Sequence, residues 1–243
     1  MKRYVIAGVL FFVGFVIAFA PAGILQRLLE DNTQAELTDA RGTLWQGHAQ
    51  LLLDSHQIGD LRWDFAPLSL LSLAPRYDWQ VTAADKRMQG SAAASFTQAM
   101  ATAQGSIDAN AVNPILRRYD IFIDGRFDVQ PTRFTALTDS GKVIELEGAV
   151  NWSGGLVRYT LSRVQHEATL PSLSAILGIN DNGMPQAVIY VTGQQTPLML
   201  VSLNTNGFAK VSITRLFTKL LNNPWPGSDP DHAVVIEVEE QIF

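Results

Sequence analysis

The stretch Gly42–Leu53, GTLWQGHAQLLL, decides the fold. Its odd positions are Thr43, Trp45, Gly47, Ala49, Leu51 and Leu53, and its even ones include Gln46, His48 and Gln50. Side chains alternate faces along an extended chain, so a period of two describes a strand with one apolar and one wetted side. The same pattern recurs outward from it. Leu61, Trp63 and Phe65 stand against Arg62 and Asp64, and Tyr77, Trp79 and Val81 against Asp78 and Gln80. Tyr119, Ile121, Ile123, Phe127 and Val129 oppose Asp120, Asp124, Arg126 and Asp128 in what reads as one strand. Ile144, Leu146, Val150 and Trp152 oppose Glu145, Glu147 and Asn151, and AVIYVTG, LMLVSL, FAKVSI and AVVIEVEE are later candidates. Half-buried strands of this kind suit antiparallel sheets. The expected fold is mainly β: a repetitive, twisted, largely antiparallel sheet with few short helices. The clearest helical stripe is Ile213, Leu216, Phe217, Leu220 and Leu221, ended by Asn222-Asn223-Pro224 and expected to pack on the sheet.

Ahead of the strands lies an uncharged run of 22 residues, Tyr4 to Leu25, with Tyr4, Phe11, Phe12, Phe15 and Phe19 in it. A helix of that length spans the roughly 30 Å hydrocarbon core of a bilayer. Ala18-Phe19-Ala20 has the small residues of a signal-peptidase site, which keeps a cleaved leader as the alternative. The run continues past that site, however, and Pro21 stands just after the cut, so an uncleaved anchor is expected. Lys2 and Arg3 precede the run, which predicts a cytoplasmic N-terminus and an exported body. The expected organisation is a stub and anchor over 1–26, a connector over 27–41 and a β-rich domain over 42–243.

The chain also echoes itself. GTLWQG resembles GAVNWSGG from Gly148, and PLSLLSLAP from Pro67 resembles PSLSAILG from Pro171. Arg76-Tyr77-Asp78, Arg118-Tyr119-Asp120 and Arg158-Tyr159-Thr160 repeat as strand openers. Periods of this size suggest repeated hairpin units, with related halves at 42–140 and 141–243. A glycine beside a tryptophan admits close backbone approach that the indole can cover. Gly42, Trp45, Gly47, Trp63, Trp79 and Trp152 are therefore read as architecture or as an interaction surface, not as catalysts.

Chemistry-bearing patterns are thin. The chain holds no cysteine, which removes thiol catalysis and Cys-based metal sites. The four histidines, His48, His56, His166 and His232, form no known ligand spacing, and His48 and His56 read as solvent-facing. NDNG at Asn180–Gly183 lacks the spaced acids of a calcium loop and reads as a tight turn. PGSDPDH at 226–232 reads as an acidic loop. No nucleophile elbow, phosphate loop or dinucleotide fingerprint is present. The formal net charge of −5, without a basic stripe, leaves a nucleic-acid role without its electrostatic footprint. No enzyme activity, cofactor or metal is expected.

The basic N-terminus, the single apolar run, GTLWQG, the following LRWDFAPLSLL and the β-rich body together resemble the type II secretion system protein N family. The resemblance implies a non-enzymatic, single-pass inner-membrane component with a periplasmic domain, serving the machinery that exports folded proteins across the outer membrane. It implies contacts with other inner-membrane components or the outer-membrane secretin, and with membrane lipid. The family is also similar to AsmA-like envelope proteins. This keeps open the alternative of an apolar β-trough that binds or conducts lipid or lipopolysaccharide.

Overall fold

A computed structural model describes residues 20–23, 35–53, 56–161, 163–204 and 207–241. Its contacts group the chain into two units, Met1–Ala84 and Asp85–Phe243.

In the first unit, β1 (Ala35–Gly42), β2 (Gln46–Leu53), β3 (His56–Ala66) and β4 (Arg76–Ala83) pair antiparallel in sequence order. The register carries the alternation of the sequence across the sheet. Leu37 faces Leu51, Ala49 faces Leu61, which faces Val81, and Gly47 faces Trp63, which faces Trp79. These apolar rows lie on one side, with His48, Gln50, Arg62, Asp64, Asp78 and Gln80 on the other. Burial follows, since Ala49, Trp63, Phe65 and Val81 are buried while His48, Arg62, Asp64 and Asp78 are exposed. Part of the expected connector is strand: β1 begins at Ala35, and Leu37 within it is fully buried.

In the second unit, nine strands form an antiparallel sheet. In spatial order they are Lys86–Ala94 (β5), Gln98–Asp108 (β6), Arg126–Leu137 (β8), Val143–Trp152 (β9), Leu173–Ile179 (β12), Pro185–Val191 (β13), Pro197–Leu203 (β14), Phe208–Thr214 (β15) and Val234–Gln241 (β16). A second sheet of three strands runs Val164–Leu170 (β11), Gly155–Leu161 (β10), Ile121–Ile123 (β7). Helix α1 spans Ala109–Leu116 and helix α2 spans Arg215–Leu220. The core of this unit gathers Trp152, Val157, Ala168 and Leu170, with Phe217, Leu220 and Leu221 packed against them. The helical stripe read from the sequence thus packs on strands, although its first member, Ile213, belongs to β15.

Three readings need correction. The segment Tyr119–Val129, expected as one strand, is two, β7 and β8, in different sheets. Asp120 (φ 52°) and Gly125 (φ 96°) are left-handed and break it on both sides of β7. Helix α1 was not foreseen; the Asp108 carboxylate caps it by accepting the Asn110 N–H at 3.0 Å. The echoes do not share a conformation. Pro67–Ser72 is a 3-10 turn, whereas the segment after Pro171 becomes β12, paired on both sides. Arg76 opens β4, but Arg117–Tyr119 is a 3-10 turn and Arg158 lies inside β10.

Among the described residues no helix is long and apolar enough to cross a membrane. Tyr4, Phe11, Phe12, Phe15 and Phe19, assigned to the anchor, lie outside the described residues.

Candidate interaction surfaces

The GTLWQG turn is built from its glycines upward. Gly42 has φ 100°, and a Cβ there would come 2.5 Å from the Gln46 carbonyl oxygen. The Thr43 hydroxyl accepts from the N–H groups of Trp45 (3.3 Å) and Gln46 (3.2 Å), closing the turn. Gly47 leaves room for a ring from the next strand: a Cβ there would lie 2.5 Å from Cζ2 of Trp63. The Trp63 ring therefore sits against β2 at Gly47 and donates its indole N–H to the Thr43 carbonyl at 3.2 Å. Trp79 is half-buried beside it. Trp45 is also half-buried and packs on Phe65 at 4.8 Å between ring centroids, and Phe65 packs on Tyr77 at 5.0 Å.

This turn holds Ala20–Ala22, residues expected within the anchor, so the end of the Tyr4–Leu25 run belongs to the β-rich body. Leu44 donates its N–H to the Ala20 carbonyl at 2.7 Å, and Ala22 donates to the Gly42 carbonyl at 3.3 Å. Pro21 forms a bridge with Thr43, and Ala22 is buried against Leu37, Ala49 and Trp63. Neither Ala22 nor Leu37 stood out in the sequence, because a single alanine or leucine carries no pattern.

The Trp152 motif repeats one element of this design. Its indole N–H donates to the Asp124 carbonyl at 2.8 Å, and a Cβ on Gly125 would come 3.0 Å from that nitrogen. The structural counterpart of Trp152 is thus Trp63 rather than Trp45: both are buried, and both lock a neighbouring turn through a backbone carbonyl. Beside this site, buried Asn113 acts as a surrogate strand partner for β7. Its amide donates to the Ile123 carbonyl and accepts the Ile123 N–H, each at 3.0 Å.

The second unit presents two unlike faces. The row Val150, Ala175, Ile189, Met199, Ile213, Ile236 crosses six strands from β9 to β16, and the row Gly148, Leu177, Ala187, Val201, Val211, Val238 lies beside it. All but Val238, which is exposed, are half-buried. The other face carries polar pairs. Glu145 accepts from Thr135 (2.7 Å) and Arg133 (3.5 Å), Ser174 donates to Asn151 (2.8 Å), and Glu237 binds Lys210 (2.9 Å) and Ser212 (3.2 Å). The Lys210 hydrogen bond holds the Glu237 carboxyl below its usual range, and the same bond raises the Lys210 ammonium. A short apolar row, Ile176, Val188 and Leu200, interrupts this face.

The remaining candidates resolve into local structure. In NDNG, the Asn180 side chain accepts from the N–H groups of Asn182 and Met184, closing the turn between β12 and β13. In the acidic loop, Arg215 donates to the carbonyls of Gly227 and Asp229, and Lys219 pairs with Asp231. The Lys219 hydrogen bond lowers the Asp231 carboxyl. His48 is exposed, and His166 stacks on Tyr159 at 5.3 Å. Among the described residues no group of histidine and acidic side chains could hold a metal ion. A cleft of about 430 Å³ lined by Ser174, Ile176, Tyr190, Val191, Gly193, Gln194 and Gln195 contains no charged side chain.

No curated protein matches the chain, and no solved structure does. A sequence model for protein N of the type II secretion system matches residues 33–222, a span that starts just before β1 and ends just after α2. The chain belongs to the type II secretion system protein N family.

Proposed function

We propose that this protein is a non-enzymatic accessory component of the type II secretion machinery, held in the bacterial inner membrane by the part of its N-terminal apolar run that precedes Ala20. In this reading the β-rich body lies in the periplasm and works through contacts with other secretion components. The family match over residues 33–222 carries it. The polar face of the second unit supports it, because ordered polar pairs such as Glu145 with Thr135 and Lys210 with Glu237 give a surface that can be read by a protein partner. The test is deletion of the gene followed by measurement of released and periplasmic exoprotein. Accumulation in the periplasm, reversed by the intact gene, is the expected result. Normal release from the deletion strain overturns the proposal.

The two apolar rows from β9 to β16 favour a second reading, in which this face binds an acyl chain. Contiguous half-exposed apolar surface is a binding surface when something fills it. Photo-crosslinking in cells separates the two. Protein adducts at Lys210 and Glu237 belong to the first reading, and lipid adducts at Ile189 and Val201 to the second.

A further inference from the structure

We propose that the leucine loop of the first unit, Pro67–Pro75, enters the lipid bilayer beside the N-terminal run; this rests on the membrane-anchored reading above. Leu68, Leu70, Leu71 and Leu73 are 80%, 52%, 85% and 67% exposed, a density of bare leucine that water disfavours. From Ala66 to Pro75 the loop carries no charge. Its own polar groups bond within the loop and to the start of β4. The Ser69 hydroxyl donates to the Ala66 carbonyl and accepts the Arg76 N–H at 2.9 Å, the Ser72 hydroxyl donates to the Ser69 carbonyl at 2.8 Å, and Leu73 donates to the Leu70 carbonyl. A segment entering lipid must satisfy its backbone internally, and this one largely does.

Its position names the occupant. The loop joins the end of β3 to the start of β4, so it projects from the same end of the strands as the turn between β1 and β2. That turn grips Ala20–Ala22, with Ala20 level with Leu44 outside and Ala22 level with Gly42 further in. The uncharged run is covalently continuous with Ala20, so a bilayer holding it lies at this end. With Ala20–Ala22 held on the turn itself, no linker separates the run from the strands, which sets this end of them at the headgroup region. The row behind the loop, Trp45, Phe65 and Tyr77, places aromatic rings at the depth where membrane proteins concentrate them.

The absence of cysteine makes the test direct. Leu68→Cys, Leu71→Cys, Gln57→Cys and Phe12→Cys are each made in the full chain and labelled with an environment-sensitive fluorophore. Each is then reconstituted into phosphatidylethanolamine–phosphatidylglycerol vesicles bearing acyl-chain spin quenchers. Gln57 lies exposed at the opposite end of the same strands. The expected result is blue-shifted, strongly quenched emission at positions 68, 71 and 12, and neither at 57. Quenching at 12 with none at 68 and 71 overturns the loop proposal while leaving the anchor; this is also the result if a protein partner covers the leucines. No quenching at 12 overturns the anchor and the loop proposal together.

Discussion

Replacing Gly47 with alanine tests the Trp63 lock at its tightest point. Gly47 does not need a left-handed backbone, so the substitution acts through space alone. The added methyl would sit 2.5 Å from Cζ2 of Trp63 and 2.5 Å from the Arg41 carbonyl oxygen. The ring must leave β2, which releases the Trp63–Thr43 hydrogen bond of 3.2 Å. Overpacking of this kind costs about 1–3 kcal/mol, and the lost hydrogen bond roughly another 1 kcal/mol. The lower chain entropy of an unfolded alanine returns about 0.4–1 kcal/mol. The net expectation is a loss of about 1–3.6 kcal/mol, or roughly one to two and a half orders of magnitude in the local opening equilibrium. Hydrogen exchange of the β2 and β3 amides in the full chain is the assay, because it reads this unit without assuming that both unfold together. Gly178→Ala is the matched control: it lies within β12, and a Cβ there meets nothing within 4 Å. Its exchange should be unchanged or slower. If Gly47→Ala exchanges as slowly as the parent, Trp63 is not held as described and the reasoning fails.

Other outcomes follow from the same geometry. Asn113→Ala removes both partners of the Ile123 backbone at a buried site and should cost about 2–4 kcal/mol, seen as loss of protection at the Ile123 amide; unchanged protection would mean that β7 is held otherwise. Trp152→Phe keeps the packing on Phe127 but deletes the donor to Asp124, so about 1 kcal/mol is expected, against about 3–5 kcal/mol for Trp152→Ala, both read by thermal unfolding. Asp231 and Glu237 have folded pKa values below their unfolded ones. Their stabilisation is therefore present above the ordinary carboxylate range and lost as pH falls through the depressed folded values. Lys219→Met should return Asp231 to that range in an NMR titration, and an unmoved carboxyl would exclude the Lys219 pairing.

Much of the fold was legible because half-buried antiparallel strands print their burial as alternation. Leu61 to Phe65 and Tyr77 to Val81 show it without interruption, and both lie in strands, β3 and β4. Failures occurred where backbone conformation decided and side-chain pattern did not. Asp120 and Gly125 break a continuous alternation between Tyr119 and Val129 into strands of two sheets. Helix α1 is short, contains Pro114 and is announced only by its Asp108 cap. The segments after Pro67 and Pro171 share letters but not surroundings: one folds back on Ser69, and the other finds a strand on each side. In the tryptophan motif, Gly42 and Gly47 are points of close backbone or ring approach. The ring that makes the approach, Trp63, comes from the neighbouring strand, a pairing that only the register reveals.

The grip of the first turn on Ala20 bears on proteolysis. Ala18-Phe19-Ala20 has the small residues of a processing site, and a peptidase binds such a segment as an extended strand with its carbonyls free. Here the Ala20 carbonyl already accepts the Leu44 N–H, and Pro21 is already bridged to Thr43. Cutting after Ala20 in the folded protein would first require peeling that edge from the turn. In the folded chain, the same GTLWQG turn that begins the sheet holds the backbone on both sides of the Ala20–Pro21 bond.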